Sequence, residues 1–169
     1  MPFIWTFDHD PIGIVPVGFT AVLGRWTVQA DPTAPSPPHA LVQSDQFRAG
    51  LHFPRCVVDG VRAQDLVAEV AFKPLSGAND QAGGLMFRVR DSETYYVFRA
   101  NLLDDLALFR SAGGARRALG RFQARAEGWQ RLRVESEEPN RVAGTGDDGR
   151  FFWTRRGTVF TSVEGMPGD

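Results

Sequence analysis

The sequence predicts an all-β fold, a two-sheet antiparallel sandwich. Three observations carry this. The 169 residues include 18 Gly, 11 Pro and 13 Phe, a composition of short strands and turns. Apolar residues recur with a period of two in short runs rich in Val, Phe and Tyr, each bounded by Gly, Pro or Asp. No window carries a helical stripe, and short strands without intervening helices favour an antiparallel sandwich. The length is that of one ordinary domain, enough to bury about two-thirds of the surface its unfolded chain exposes.

In order, strands are expected at Ile4–Phe7, Phe19–Val22, Trp26–Gln29, Ala40–Gln43, Leu66–Lys73, Gly83–Arg90, Tyr95–Asn101, Leu106–Arg110, Leu119–Ala124 and Gln130–Glu135. The run Leu102 to Ala107 fits a hairpin better than a turn of helix. Between the second and third strands, Thr33-Ala34-Pro35-Ser36-Pro37-Pro38 is stiffened by proline and reads as a lid or strap. Gly83-Gly84 and Gly113-Gly114 are not phosphate loops, because no helix follows them; they mark a close backbone approach and a hairpin turn.

The centre of the chain carries the most information. Alternation places Leu85, Phe87 and Val89 on one face and Gly84, Met86, Arg88 and Arg90 on the other. Asp91-Ser92-Glu93-Thr94 makes a hairpin loop, which sets Arg90 opposite Tyr95, Arg88 opposite Val97 and Met86 opposite Arg99. A second loop at Leu102–Asp105 sets Leu106 opposite Asn101 and Leu108 opposite Arg99. One face is then an apolar wall of Leu85, Phe87, Val89, Tyr96, Phe98, Ala100, Ala107 and Phe109. The other gathers Arg88, Arg90, Tyr95, Arg99, Asn101 and Arg110 among Met86, Val97, Leu106 and Leu108. Such a mixture suits a concave binding surface or a face covered by a loop.

Composition closes several doors. The formal net charge is −1, without the basic surplus of a nucleic-acid binder. Of the 19 basic residues only Lys73 is Lys, and the arginine excess is explained mainly by coding bias. Cys56 is alone, so no intramolecular disulfide forms, and Cys56-Val57-Val58 reads as a buried structural thiol. With only His9, His39 and His52 for partners it is a weak nucleophile. No apolar stretch is long enough to span a membrane. The start, Met1-Pro2-Phe3-Ile4-Trp5-Thr6-Phe7-Asp8, lacks the features of a signal peptide, so as written the chain is expected to be cytoplasmic.

Several segments resemble a known group. Gly18-Phe19, Gly24-Arg25-Trp26-Thr27-Val28, Asp31 and Ala40-Leu41-Val42-Gln43 resemble the front half of bacterial domains similar to the 3-keto-disaccharide hydrolases, often described as family-16-glycoside-hydrolase-like. Phe72-Lys73-Pro74-Leu75-Ser76-Gly77, Gln81 to Arg88 and Tyr95 to Asn101 resemble their centre, and Gly128 to Val134 the strand that follows. The resemblance covers roughly residues 4 to 135 and implies a jelly roll of the concanavalin A-like lectin/glucanase or laminin-G type. Residues 1–138 are expected to form its main part. Residues 139–169 form a divergent C-terminal segment, read as terminal strands of the same domain. Asp147 to Thr154 match only loosely the Asp-Gly turn and closing strand of such domains.

The resemblance implies no specific chemistry. Retaining glucanases of this sandwich class carry two Glu and an Asp alternating on one strand. Here the acidic cluster Glu135-Ser136-Glu137-Glu138-Pro139 reads as a solvated strand end, and Asp104-Asp105 as turn chemistry. Jelly rolls of this kind often hold a structural calcium; Asp8, Asp10 and Asp31, or Asn79-Asp80, could supply oxygens, although without EF-hand-like spacing loop solvation explains them better. Catalytic residues therefore stay unassigned.

What remains is the polar face. An Arg fork meets vicinal hydroxyls or a carboxylate at two points, Asn both donates and accepts, and a Tyr ring suits the apolar face of a sugar. Arg88, Tyr95, Arg99 and Asn101 are the expected ligand-binding residues, joined by Gln43 and Trp26 if their strands border the same sheet. The competing reading is a structural network pairing Arg88 and Arg99 with Glu93, Asp104 or Asp105. The leading expectation is a carbohydrate-binding jelly-roll module without a glucanase motif. The alternatives are a hydrolase acting on 3-keto-disaccharides or related glycosides, and an interaction domain that forms a homodimer.

Overall fold

A computed structural model describes residues 2–46, 53–77, 80–103, 105–123, 127–137, 141–146, 151–155 and 158–162. They form thirteen strands and no helix, so none is long and apolar enough to cross a membrane. Every described strand pairing is antiparallel. The chain divides into two compact units, Met1–Arg62 and Ala63–Asp169, and each is described by itself.

In the first unit, β1 (Phe19–Leu23) pairs with β4 (Arg55–Val58), and β2 (Trp26–Ala30) with β3 (His39–Gln43). The proline segment is the loop of the β2–β3 hairpin. Asp31 N–H donates to the Pro38 carbonyl at 2.9 Å, while Asp31 Oδ1 accepts from Thr33 N–H at 2.9 Å and Thr33 Oγ1 at 2.6 Å. The strand expected at Ile4–Phe7 does not form. Phe7 has φ of 67°, which turns the chain out of the extended region, and its carbonyl accepts from Asp10 N–H. The apolar residues there pack as rings instead: Phe3 stacks on Trp5, and Trp5 and Phe7 meet Phe19 edge-on. β4, too short for a readable alternation, carries Cys56, which is half-buried rather than buried.

The second unit holds two sheets. One runs β13–β12–β11–β10–β5, from β5 (Leu66–Phe72), β10 (Gln130–Glu137), β11 (Arg141–Gly146), β12 (Phe151–Arg155) and β13 (Thr158–Ser162). The other is a meander of β6 (Ala82–Asp91), β7 (Thr94–Asn101), β8 (Asp105–Ala112) and β9 (Ala115–Gln123). Phe87, Phe98, Ala100, Leu106 and Leu108 of the meander pack against Leu132 and Val134 of β10. Leu66, Val70 and Phe72 of β5 flank them. Phe98, Leu106, Leu108 and Leu132 are essentially fully buried, each contributing about 2 kcal/mol by removal of apolar surface from water. This is the expected antiparallel jelly-roll sandwich.

Two details of the meander differ from the expected pairing, and both decide the site. Asp91 does pair with Thr94, as the first hairpin requires, but farther along Phe87 faces Tyr96 and Met86 faces Val97. A bulge between Phe87 and Asp91 absorbs two residues, and Arg88 within it has φ of 50°. In the second hairpin, β8 begins at Asp105, one residue earlier than expected. Leu106 therefore faces Ala100, Ala107 faces Arg99 and Phe109 faces Val97. A one-residue slip exchanges the faces of a strand. Leu106 and Leu108 enter the core, while Ala107 and Phe109 leave the apolar wall for the face of Arg99.

Candidate functional site

The face of the meander turned from the core carries a row of residues across four strands. Gly84, Arg99, Ala107 and Arg121 are register neighbours on β6, β7, β8 and β9. At Gly84 a Cβ would overlap the Phe98 carbonyl oxygen and Arg99 Cα, so only glycine lets β6 approach β7 beside Arg99. The buried, small Ala107 leaves room for the two arginines on either side. The next row along the strands pairs Val97 with Phe109 and Phe109 with Ala118.

Asp105, at the start of β8, organises the row. Its Oδ2 accepts from Arg121 Nη1 at 2.9 Å, and its Oδ1 lies 3.2 Å from Arg99 Nη2. The Asp105 side chain is 8% exposed, against 14% for Arg99 and 57% for Arg121. Arg99 Nη1 donates to Asp80 Oδ1 at 3.2 Å, and Asp80 is 43% exposed. Asn101 holds this arrangement from below. Its Nδ2 donates to Asp80 Oδ1, while its Oδ1 accepts from Gln81 N–H and Leu103 N–H, both at 3.1 Å. Thus Asn101 caps the β7–β8 turn and fixes the segment that presents Asp80. Solvent reaches the cluster at Asp80 and Arg121, and its remaining members are buried or nearly so.

Phe109 provides the apolar centre. The guanidinium of Arg116 lies 3.9 Å from its ring centroid, and those of Arg99 and Arg121 each lie 5.2 Å away. Burial, and then the neighbouring Arg99 charge, pushes the Arg116 guanidinium down to about 10. Arg121 adds to this, and Tyr95 and Asp80 oppose it.

Of the six residues expected to bind ligand, Arg99 and Asn101 meet in this cluster. Tyr95 shares their face but is buried opposite Ser111, so its ring is packed rather than presented. Arg88 belongs elsewhere. Its left-handed backbone turns the side chain toward the other sheet, where Nε donates to Ser136 Oγ at 2.7 Å and Nη2 to the Glu137 carbonyl at 2.9 Å. Trp26 and Gln43 are partners in the β2–β3 hairpin of the first unit. There the indole N–H donates to the Leu23 carbonyl at 3.0 Å, and Gln43 Nε2 to the Asp45 carbonyl at 3.0 Å.

Of the structural network weighed from the sequence, the Arg99–Asp105 pair is seen among the described residues. Asp104 lies outside the described residues, as do Asn79, His52 and Glu138. Phe109, Arg116 and Arg121 were not expected at the site. Their signal was the register between β7 and β8, because a slip of one residue brings Phe109 onto this face.

Other acidic groups serve locally. Glu135 accepts from Arg133 Nη2 at 2.6 Å, and Arg133 Nη1 donates to Glu69 at 2.9 Å, all on the side of β10 turned from the core. Asp8 accepts from Ser36 Oγ at 2.7 Å, which lowers its carboxyl below the usual range. Among the described residues, no three His, Cys, Asp or Glu side chains gather so as to hold a metal ion.

Known proteins add a fold relationship. No family model matches the sequence, and no curated protein matches it. The structure is similar to a solved carbohydrate binding module, CBM66 from Bacillus subtilis, with a TM-score of 0.51 and 18% sequence identity. That likeness covers 78% of this chain and 74% of the other, and it shows a common antiparallel jelly-roll fold.

Proposed function

We propose that the chain is a carbohydrate-binding module that works without a glucanase catalytic motif. It takes its sugar at the outer edge of the Asp80–Arg99–Asn101–Asp105–Arg121 cluster. The observation that carries the reading is the Asp105 carboxylate held between Arg99 and Arg121 beside a partly exposed Asp80. Sugar hydroxyls are bound by paired donors and acceptors at fixed spacing, and charged partners make the stronger hydrogen bonds. Mutual ion pairing holds these side chains in one geometry before ligand arrives, which lowers the ordering cost of binding. The carbohydrate-binding role of the structural neighbour supports the same reading.

The test is a glycan panel titrated against wild type and Arg121→Ala. Saturable binding by wild type, weakened about tenfold or more in the variant, is the expected outcome. Absence of binding to every glycan, or binding unchanged in Arg121→Ala, contradicts it. Turnover of a 3-keto-glucoside by wild type would replace this reading with the hydrolase, and a concentration-dependent mass without glycan binding would replace it with a homodimer.

A further inference from the structure

We propose that two copies of the chain associate as a symmetric dimer through the aromatic patch and the open edge of β1. Residues 2–7 and 11–24 contain no Asp, Glu, Lys, Arg or His. Much of this charge-free stretch nevertheless faces solvent. Phe3, Ile4 and Val17 are 70%, 77% and 90% exposed, and Trp5 and Val22 are exposed as well. The rings form one continuous patch on β1: Phe3 stacks on Trp5 at 5.8 Å, and Trp5 and Phe7 meet Phe19 at 5.9 and 5.5 Å. A single exposed apolar side chain is ordinary, but a charge-free cluster centred on aromatic rings has the composition of an interface core.

Two features select a second copy as the partner. The first is the edge. Among the described residues β1 pairs as a strand with β4 alone, and its sequence, Phe-Thr-Ala-Val-Leu, has neither the charge nor the proline that guards an edge. Thr20, its one polar side chain, donates to Asp59 Oδ1 at 2.8 Å, and Val22 stands in a bulge, unpaired with β4. Antiparallel pairing of β1 with its own copy about a two-fold axis satisfies both edges at once. Self-contact of a patch without charge also brings no like-charge repulsion. The second feature is area. Phe3, Ile4, Trp5, Val17 and Val22 expose roughly 100 Å² each, so two copies bring together about 1,000 Å² of apolar surface. That matches the apolar share, about 65%, of a standard interface of about 1,600 Å².

The experiment is sedimentation equilibrium on the full chain over a wide concentration range. The mass is expected to rise to that of two chains and no further. Phe3→Glu and Val22→Lys, both at exposed positions, are each expected to raise the dimer dissociation constant at least tenfold. Val67→Lys, equally exposed but on β5 of the second unit, is expected to leave it unchanged. Hydrogen exchange at the β1 amides is expected to be slower in the dimer than in the dilute monomer. A monomer at every concentration up to millimolar overturns the inference, as does a mass that climbs past two chains. A dimer that survives both β1-face variants, or that Val67→Lys weakens as much, overturns it too. A monomer whose Trp emission shifts on adding neutral glycan, with the shift lost in Phe3→Glu, gives the aromatic patch to sugar instead. A dimer that also binds glycan satisfies both this inference and the carbohydrate reading, and a dimer that binds none removes only the latter.

Discussion

Asp105 and Arg121 meet across β8 and β9 with the carboxylate buried and the guanidinium more than half exposed, at 2.9 Å. The asymmetry separates two roles. Asp105 is fixed by its surroundings, and Arg121 presents the pair to solvent. Removing the buried member leaves Arg99 without one of its two carboxylates inside the protein. Asp105→Ala is expected to destabilise the fold by about 3 kcal/mol. Arg121→Ala is expected to cost no more than about 1 kcal/mol, because its exposed charge is screened. Urea unfolding of the two variants measures both, and equal losses would contradict the division.

Gly84→Ala inserts a methyl where the backbone of β7 already stands. Overpacking at this contact is expected to cost on the order of 2 kcal/mol. Thermal unfolding checks it, and a variant as stable as wild type would show that β6 and β7 are not in this close approach.

Arg88 ties the meander to β10 from a left-handed backbone position. Arg88→Ala loses the hydrogen bonds to Ser136 and Glu137 yet keeps a side chain at φ of 50°, and is expected to destabilise by about 2 kcal/mol. Arg88→Gly loses the same bonds but relieves the backbone, and is expected to be more stable than the alanine variant by about 1 kcal/mol. Glycan affinity should stay at the wild-type value in both. A loss of affinity with the fold intact would return Arg88 to the site.

Cys56 is half-buried in β4, and burial, with Asp59 nearby, raises its thiol above the ordinary range against an opposing hydrogen bond from the Val57 backbone. The folded chain thus favours the neutral thiol. Its contribution to stability is complete below the unfolded thiol value and is lost as pH rises through the folded one. The pH profile for alkylation by iodoacetamide is expected to have its midpoint above that of a free cysteine peptide. A midpoint at or below the peptide value would be inconsistent with this environment.

The sequence makes the architecture readable because alternation and turn residues act locally. Alternation marks the Gly83–Arg90 and Tyr95–Asn101 strands, and Gly113-Gly114 marks a tight turn where both residues have positive φ. The site is less readable because it depends on register, which is counted rather than sensed. Alternation in β8 is weak, with Leu, Ala, Leu and Phe in succession, so apolar character does not choose between its two faces. The β7–β8 register does, and a slip of one residue moves Phe109 to the face of Arg99. At Arg88 no side-chain pattern announces the bulge, since the positive φ is held by hydrogen bonds from a strand some fifty residues later. Asn101 is legible as polar and buried only once its three partners around Asp80 and the turn are known.

The central claim is that the outer face of the β6–β9 meander binds carbohydrate. Amide chemical-shift mapping during titration with the tightest glycan of the panel tests it most directly. Shifts are expected to concentrate at Asp80, Arg99, Asn101, Asp105, Phe109, Arg116 and Arg121. Shifts confined instead to β1–β4, or to the Glu69–Arg133–Glu135 side of β10, would contradict it.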